Sequence, residues 1–335
     1  MKKIIYFFFF FVFTVFFNIA SAKSDYSIIF IHIGKTIPPH VPIALAQARL
    51  FNQDCPIILA GNQEAMKDIS LACAQSNVTF IALESLVQTE EHKKFRQLSG
   101  LDNKWHNGFW LYTSERFLYL QDLILQYDLT NIFHLEHDNM LYANLNDILS
   151  VFENDYPGLG LTMHNDQVCI PGFVYIADKE IITQLAFFFA ENASKNQNDM
   201  QILGSFKSLI GHVFAKNLPI IFEEYALEHP LKSMTNQIPL DPSKYFLNIN
   251  QFNSIFDAAA LGQYLGGIDP IHGQSEPGFI NESCIFNPSY LNYKWVIDLQ
   301  GRRVPFIKYK DKYLRINNLH IHSKNLKPFA SSSFE

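Results

Sequence analysis

The chain has 335 residues, 48% hydrophobic and 17% charged, which allows one large domain or two small ones. Its formal net charge of -6 gives no basic surface of the kind nucleic acids require. Aromatics reach 15%, partly from the Phe-rich first twenty residues, and the balance points to a small molecule or a sugar that stacks on rings.

Residues 1–22 read as a secretory signal peptide, with an uncleaved signal anchor as the alternative. Lys2 and Lys3 supply a positive start, residues 4–17 are almost wholly apolar, and Ala20-Ser21-Ala22 fits a cleavage site. A membrane span needs about 20 residues, so the run is slightly short for one. The expected location is therefore exported, whether secreted, periplasmic or lumenal, or else anchored through residues 4–20. Residues 23–335 form one catalytic domain on this reading, and membrane contact is expected only through the leader. Cys55, Cys73, Cys169 and Cys284 are either two disulfides or four buried thiols, with no metal-binding spacing.

Past the leader, SIIFIHIG (27–34) is a buried first strand ending in glycine. Prolines break the chain, ALAQARLF (44–51) is helical, PIILAG (56–61) is a strand and MKDISLACAQS (66–76) a helix. A third strand falls near residues 78–83, and residues 87–108 are a loop or short helices. WLYTSERFLYLQDLILQYDL (110–129) has apolar residues at helical spacing and leads into the segment NIFHLEHDNMLYANL (131–145). DQVCIPGFVYIAD (166–178) is a further strand and IITQLAFFFAEN (181–192) a further helix. Alternating elements predict an α/β domain with a mainly parallel central sheet flanked by helices. Neither a Gly-x-Gly-x-x-Gly turn, a Gly-x-Ser-x-Gly elbow nor a Gly-Lys-Ser/Thr loop is present.

The segment 131–145 is the most informative. Its apolar run ends in Glu136-His137-Asp138-Asn139. Acids at the end of a buried strand are costly unless paired, and ligands of α/β sheets bind at those ends. Two carboxylates two residues apart face the same way in extended backbone, so both can reach one divalent cation. The competing reading is a helix N-cap at Asp138 or Asn139.

Residues 116–149 resemble the hallmark of the GT-A class of nucleotide-sugar glycosyltransferases, with Rossmann-like topology: an Arg-bearing helix, a strand, then a D-x-D or E-x-D motif, here Glu136-His137-Asp138. CIPGFVYI (169–176) resembles the following strand, with Gly172 under the donor sugar, and NDMQIL (198–203) resembles an acidic motif heading a later helix. LHIHSKNLKPF (319–329) is loosely like the tail of the glycogenin and bacterial galactosyltransferase branch. The first acid is Glu rather than Asp, the His322–Lys327 spacing is one residue short, and no Asn precedes Gly172. The resemblance implies the class, a nucleotide-diphosphate sugar donor (a UDP-sugar favoured), a glycan, protein or lipid acceptor, and Mn²⁺ or Mg²⁺. Retaining and inverting chemistry both stay open.

On that reading Asp138 is the primary metal ligand, with Glu136 in or next to the coordination sphere. His322 is the ligand expected from the tail, and His320 its alternate, unless both belong to a surface strand. Lys324 and Lys327 are placed on phosphate, or else in a solvated tail. His32 and Gly34 end the first strand near the nucleotide base, although His32 suits the core equally. Trp110 and Arg116 flank the site, Arg116 reaching a phosphate or pairing with Glu136 or a neighbour. Asp199 and Asp257 are the candidate catalytic acids, and each suits a helix cap as well. The alternative function is a secreted, catalytically inactive transferase-like protein that binds carbohydrate or nucleotide.

The leader generates one test. N-terminal sequencing of the exported protein should begin at Lys23, and an intact leader on a membrane-bound product would favour the anchor.

Overall fold

A computed structural model describes residues 25–332 apart from 103, 105, 107, 235–240, 270–272 and 274. The leader expected over residues 1–22 lies outside the described residues. Among those described, no helix is long and apolar enough to cross a membrane.

Ser27–His32 (β1) is buried at all six positions, as its unbroken apolar run requires. Val41–Phe51 (α1) follows, with Pro42 in its first turn, where a missing N–H does no harm. Ile57–Gly61 (β2), Met66–Gln75 (α2) and Thr79–Ala82 (β3) complete the first alternation. Glu90–Leu98 (α3) begins at Thr89, whose side chain accepts from the His92 amide. Phe109–Tyr127 (α4) leads into Ile132–Leu135 (β4) and the short Asn139–Leu141 (β5). Then come Leu149–Asp155 (α5), Leu159–Met163 (β6), Cys169–Ile176 (β7), Lys179–Asn192 (α6), Asp199–Phe214 (α7) and Ala215–Asn217 (β8).

The central sheet has the order β3-β2-β1-β4-β7-β6-β8. Four of its six pairings are parallel, and β7 runs antiparallel to both β4 and β6. The α/β domain with a mainly parallel sheet and flanking helices is thus present, with one reversed strand that apolar patterning does not reveal. α4 lies against β1 and packs on α3 and α6, while α7 lies against β7 and β8. Eleven consecutive residues of α4, Ser114 to Ile124, are buried, so its polar members need internal partners.

The second half adds Glu223–Glu228 (α8), Ile249–Phe252 (α9), Ser254–Ile255 (β9), Ala260–Gly266 (α10), Asn292–Ile297 (β10), Arg303–Tyr309 (β11), Lys312–Ile316 (β12) and Asn318–His320 (β13). β10, β11, β12 and β9 form a second sheet, and β13 pairs antiparallel with β5. One core cluster extends from Tyr26 to Ala330, so the late strands belong to the same hydrophobic body. All four cysteines are buried free thiols, which removes the disulfide alternative.

α10 fixes β13 through a close approach. A Cβ on Gly262 would lie 1.9 Å from the His320 carbonyl oxygen. Gly to Ala in a helix normally gains about 1 kcal/mol. Here the clash with backbone reverses the sign, and Gly262→Ala should destabilise the fold by about 1–3 kcal/mol. Urea unfolding checks this, and an unchanged midpoint would mean that α10 does not fix β13.

Candidate active site

β4 ends at Leu135, and the Glu136 amide continues its ladder by donating to the Gly172 carbonyl (3.1 Å). The chain then turns. The Asn139 amide donates back to the Glu136 carbonyl (3.0 Å) before β5 starts. The motif is therefore a tight turn, not the extended segment expected. Glu136 and Asp138 still converge, because the turn rather than strand alternation aims them at one point.

The third member arrives from the tail. The β13–β5 pairing sets His320 opposite Asn139, and the Ile321 amide donates to the Asp138 carbonyl (2.9 Å). The His320 Nε2 lies 3.2 Å from Asp138 Oδ1 and 3.3 Å from Glu136 Oε2. Ligand atoms of Glu136, Asp138 and His320 all fall within 4.8 Å of one another. Gly172 makes room, since a Cβ there would sit 2.8 Å from His320 Nδ1 and 2.9 Å from Asn139 Nδ2.

Cations hold the outer faces of this cluster. Arg116 of α4 pairs with Glu136 Oε1 and donates to Asp199 Oδ2 (2.6 Å). Lys324 reaches Asp138 Oδ2 at 3.1 Å and Asp269 Oδ2 at 3.4 Å. Burial alone would raise the Asp138 carboxyl, but Lys324 and protonated His320 outweigh it and hold it well below the usual range. Burial opposes charge on His320, yet Asp138 and Glu136 raise its pKa to about 9. His320 therefore adds stability that is complete below its ordinary 6.5 and lost as pH rises through about 9. Burial raises Asp199, with Arg116 pulling the other way.

The cluster opens into a cleft of about 440 Å³. Phe109, Trp110, Ile170, Pro171 and Phe279 form apolar wall, while Asn165, Gln263 and Asn281 supply amides. Trp110, Arg116, Glu136, Asp138, Asp199, His320, His322 and Lys324 all line it. His322, expected as the ligand ahead of His320, lies outside the three-residue cluster. Burial, then His320 and Lys324, lower its pKa to about 4, so it is neutral near pH 7. Gly172 lies beneath the cluster and is not part of the wall.

The remaining expected residues are elsewhere. His32 Nε2 donates to the Thr36 carbonyl (2.8 Å) and its ring meets the His137 ring edge-on at 5.5 Å, behind the cleft wall. The Gly34 amide donates to Asn62 Oδ1 (2.8 Å). Lys327 is exposed in a short turn and does not line the cleft. Asp257 is buried below the site. Its carboxylate accepts from the amides of Leu261, Gly262 and His320, each at 2.9 Å. Burial raises its pKa to about 6 despite those bonds. Asp257 thus caps α10 and positions β13, and a general base there would have to give up three hydrogen bonds.

Some site residues escape sequence reasoning. Asp269, Lys324's second partner, stands in an irregular segment and carries no spacing signal. His164 and Ser283 meet in the cleft wall at 2.7 Å across 119 positions, which no local pattern reveals.

Removing Arg116 should be severe, because Glu136 and Asp199 would then face each other as buried acids. Arg116→Met should cost about 3–5 kcal/mol. Arg116→Lys should recover only part, since one ammonium cannot reproduce the guanidinium fork. Chemical denaturation measures both, and a Met variant as stable as the parent would contradict the network.

No family model matches the chain, and no curated protein does. Solved structures similar to it include mouse xyloside xylosyltransferase 1 in its apo form (10% identity, TM-score 0.44, covering 67% of this chain and 94% of that one). The PaToxG glycosyltransferase is similar at 14% identity and TM-score 0.41, covering 55% of this chain and 70% of that one. Galactosyltransferase LgtC, in complex with donor and acceptor sugar analogues, is similar at 11% identity and TM-score 0.40, covering 66% and 84%. These are distant likenesses, and the residues of the site carry the functional reading.

Proposed function

We propose that this chain is a metal-dependent transferase that moves a sugar from a nucleotide-diphosphate donor, a UDP-sugar favoured, to a glycan, protein or lipid acceptor. The observation that carries the reading is the convergence of Asp138 Oδ1, Glu136 Oε2 and His320 Nε2 at a cleft wall, with their outer atoms held by Arg116 and Lys324. Two carboxylate oxygens and one imidazole nitrogen suit Mn²⁺, and Mg²⁺ next. The donor set fits such an ion, because each acid keeps one oxygen turned toward His320. When bound, a divalent ion would offset the charge that develops on the departing diphosphate.

The other roles belong to the chain itself. Arg116 fixes Glu136, so the acid is held in place before any ligand arrives. Lys324 stands beside the cluster, between Asp138 and Asp269, as a cation within reach of a phosphate in the cleft. The rings of Trp110 and Phe109 offer stacking surface for a base or sugar. Asp199 is a hydrogen-bond acceptor at the cleft wall for a sugar hydroxyl, oriented by Arg116. A leader of the expected kind supports action outside the cytosol.

A nucleotide-sugar panel with Mn²⁺, read as release of free UDP or GDP, tests the function. Release should require Mn²⁺ and vanish in Asp138→Asn, which keeps volume but removes charge. Glu136→Gln should be milder. Nucleotide binding with no release from any donor would favour the inactive binding protein instead.

Proton competition supplies a second test. A metal must displace the His320 proton, so Mn²⁺ affinity should rise with pH below about 9, by up to tenfold per unit. Titration calorimetry at pH 6.5 and 7.5 measures this, and His320→Gln should flatten the slope. A wild-type affinity independent of pH would remove His320 from the ligand set.

A further inference from the structure

A second cleft, of about 770 Å³, lies on the other side of the β6–β7 connection. Val168 lines both clefts. Lys207 of α7 lines the second one and is 7% exposed. Among the described residues it is the one buried charged side chain with no hydrogen bond or ion pair. Arg116, Lys324, His92 and the buried acids all have partners. Lys244 lines the same cleft and adds a second positive charge, also without a counter-ion among the described residues. Burial pushes the Lys207 ammonium below its usual pKa, opposed by the Cys169 sulfur and aided to a smaller degree by Lys244. Asn217 Oδ1, in the same lining, is a buried acceptor with no partner.

Acids do line this cleft, but they already accept hydrogen bonds from other parts of the chain. Asp166 accepts from Ser233 Oγ (2.7 Å) and the Met234 amide (2.8 Å). Asp241 accepts from the amide and hydroxyl of Ser243. Neither forms an ion pair with Lys207. The rest of the lining is rich in amides and hydroxyls, including Gln201, Ser205 and Ser208. A Cβ on Gly204 would lie 1.8 Å from the Gln167 carbonyl oxygen, so α7 is pressed against the β6–β7 connection at this wall.

An ammonium held in a cleft on a buried stem, with no counter-ion in the lining, is a ready partner for an anion. Amides and hydroxyls around it match a polyhydroxylated ligand. We infer that this second cleft binds a saccharide bearing an oxyanion, phosphate or carboxylate, with Lys207 as the buried cation and Lys244 as the outer one. The shared Val168 wall places such a ligand next to the metal cluster's cleft, where part of an anionic acceptor would lie. The inference goes beyond the proposed transfer reaction and does not require it.

The test is binding by the full chain, with no nucleotide sugar present. Calorimetry with glucose 6-phosphate, glucuronate and glucose as probes separates phosphate, carboxylate and neutral sugar. At least one anionic probe should bind ten-fold or more tightly than glucose. Lys207→Met should lose that preference. Lys244→Gln, on an exposed side chain, should weaken the anionic probe several-fold without changing the melting temperature. Equal binding of all three sugars, or undiminished anion binding in both variants, would overturn the inference. Anion binding here, with no UDP or GDP released from any donor in the separate nucleotide-sugar panel, would instead sink only the transferase reading.

Discussion

The buried run of alternating charges, Asp199–Arg116–Glu136–His320–Asp138–Lys324–Asp269, is the constraint on which the site depends. Glu136 and Asp138 each stand between two cations, and each cation stands between two carboxylates. No member is stable alone, because removing one leaves an uncompensated buried charge. The run also ties together α4, the β4–β5 turn, the start of α7, the segment after α10 and the tail.

Neutral hydrogen bonds place the members. The β13–β5 pairing brings His320 in, Asp257 takes the His320 amide, and the Asn318 side-chain amide donates to Asn139 Oδ1 (3.1 Å). Gly172 and Gly262 leave the space that lets these backbones approach. Geometry set by backbone pairing is stiffer than geometry set by long side chains. A cluster built this way is preorganised before anything binds.

α4 carries a second buried network directly behind the first. His92 of α3 sits between Asp122 Oδ2 (2.5 Å) and Glu115 Oε1 (3.0 Å), and Arg96 Nε also reaches Glu115 (2.6 Å). Glu115 precedes Arg116 in the chain, so this network fixes the turn of helix that presents the guanidinium. The two acid attachments raise the His92 pKa against the effect of burial. The polar residues on a helix buried on all sides are thus divided between scaffold and site.

The sequence by itself determined what local forces determine. The apolar runs at 27–32, 57–61 and 132–135 are strands because unbroken β-branched stretches suit a sheet covered on both faces. The acidic pair after 135 marked the site, since charge at the end of a buried strand requires a partner. Arg116 was legible as a partner of Glu136 for the same reason. Tertiary structure alone decided the rest. Strand patterning is blind to direction, so the antiparallel β7 could not be read. His320 and His322 share a strand face in sequence, and only the register of β13 on β5 chose His320. Asp257 had both a capping and a catalytic reading, and the three amides on its carboxylate settled its partners. Lys207 gave no signal at all, because burial without a counter-ion is a property of packing, which no run of neighbouring residues encodes.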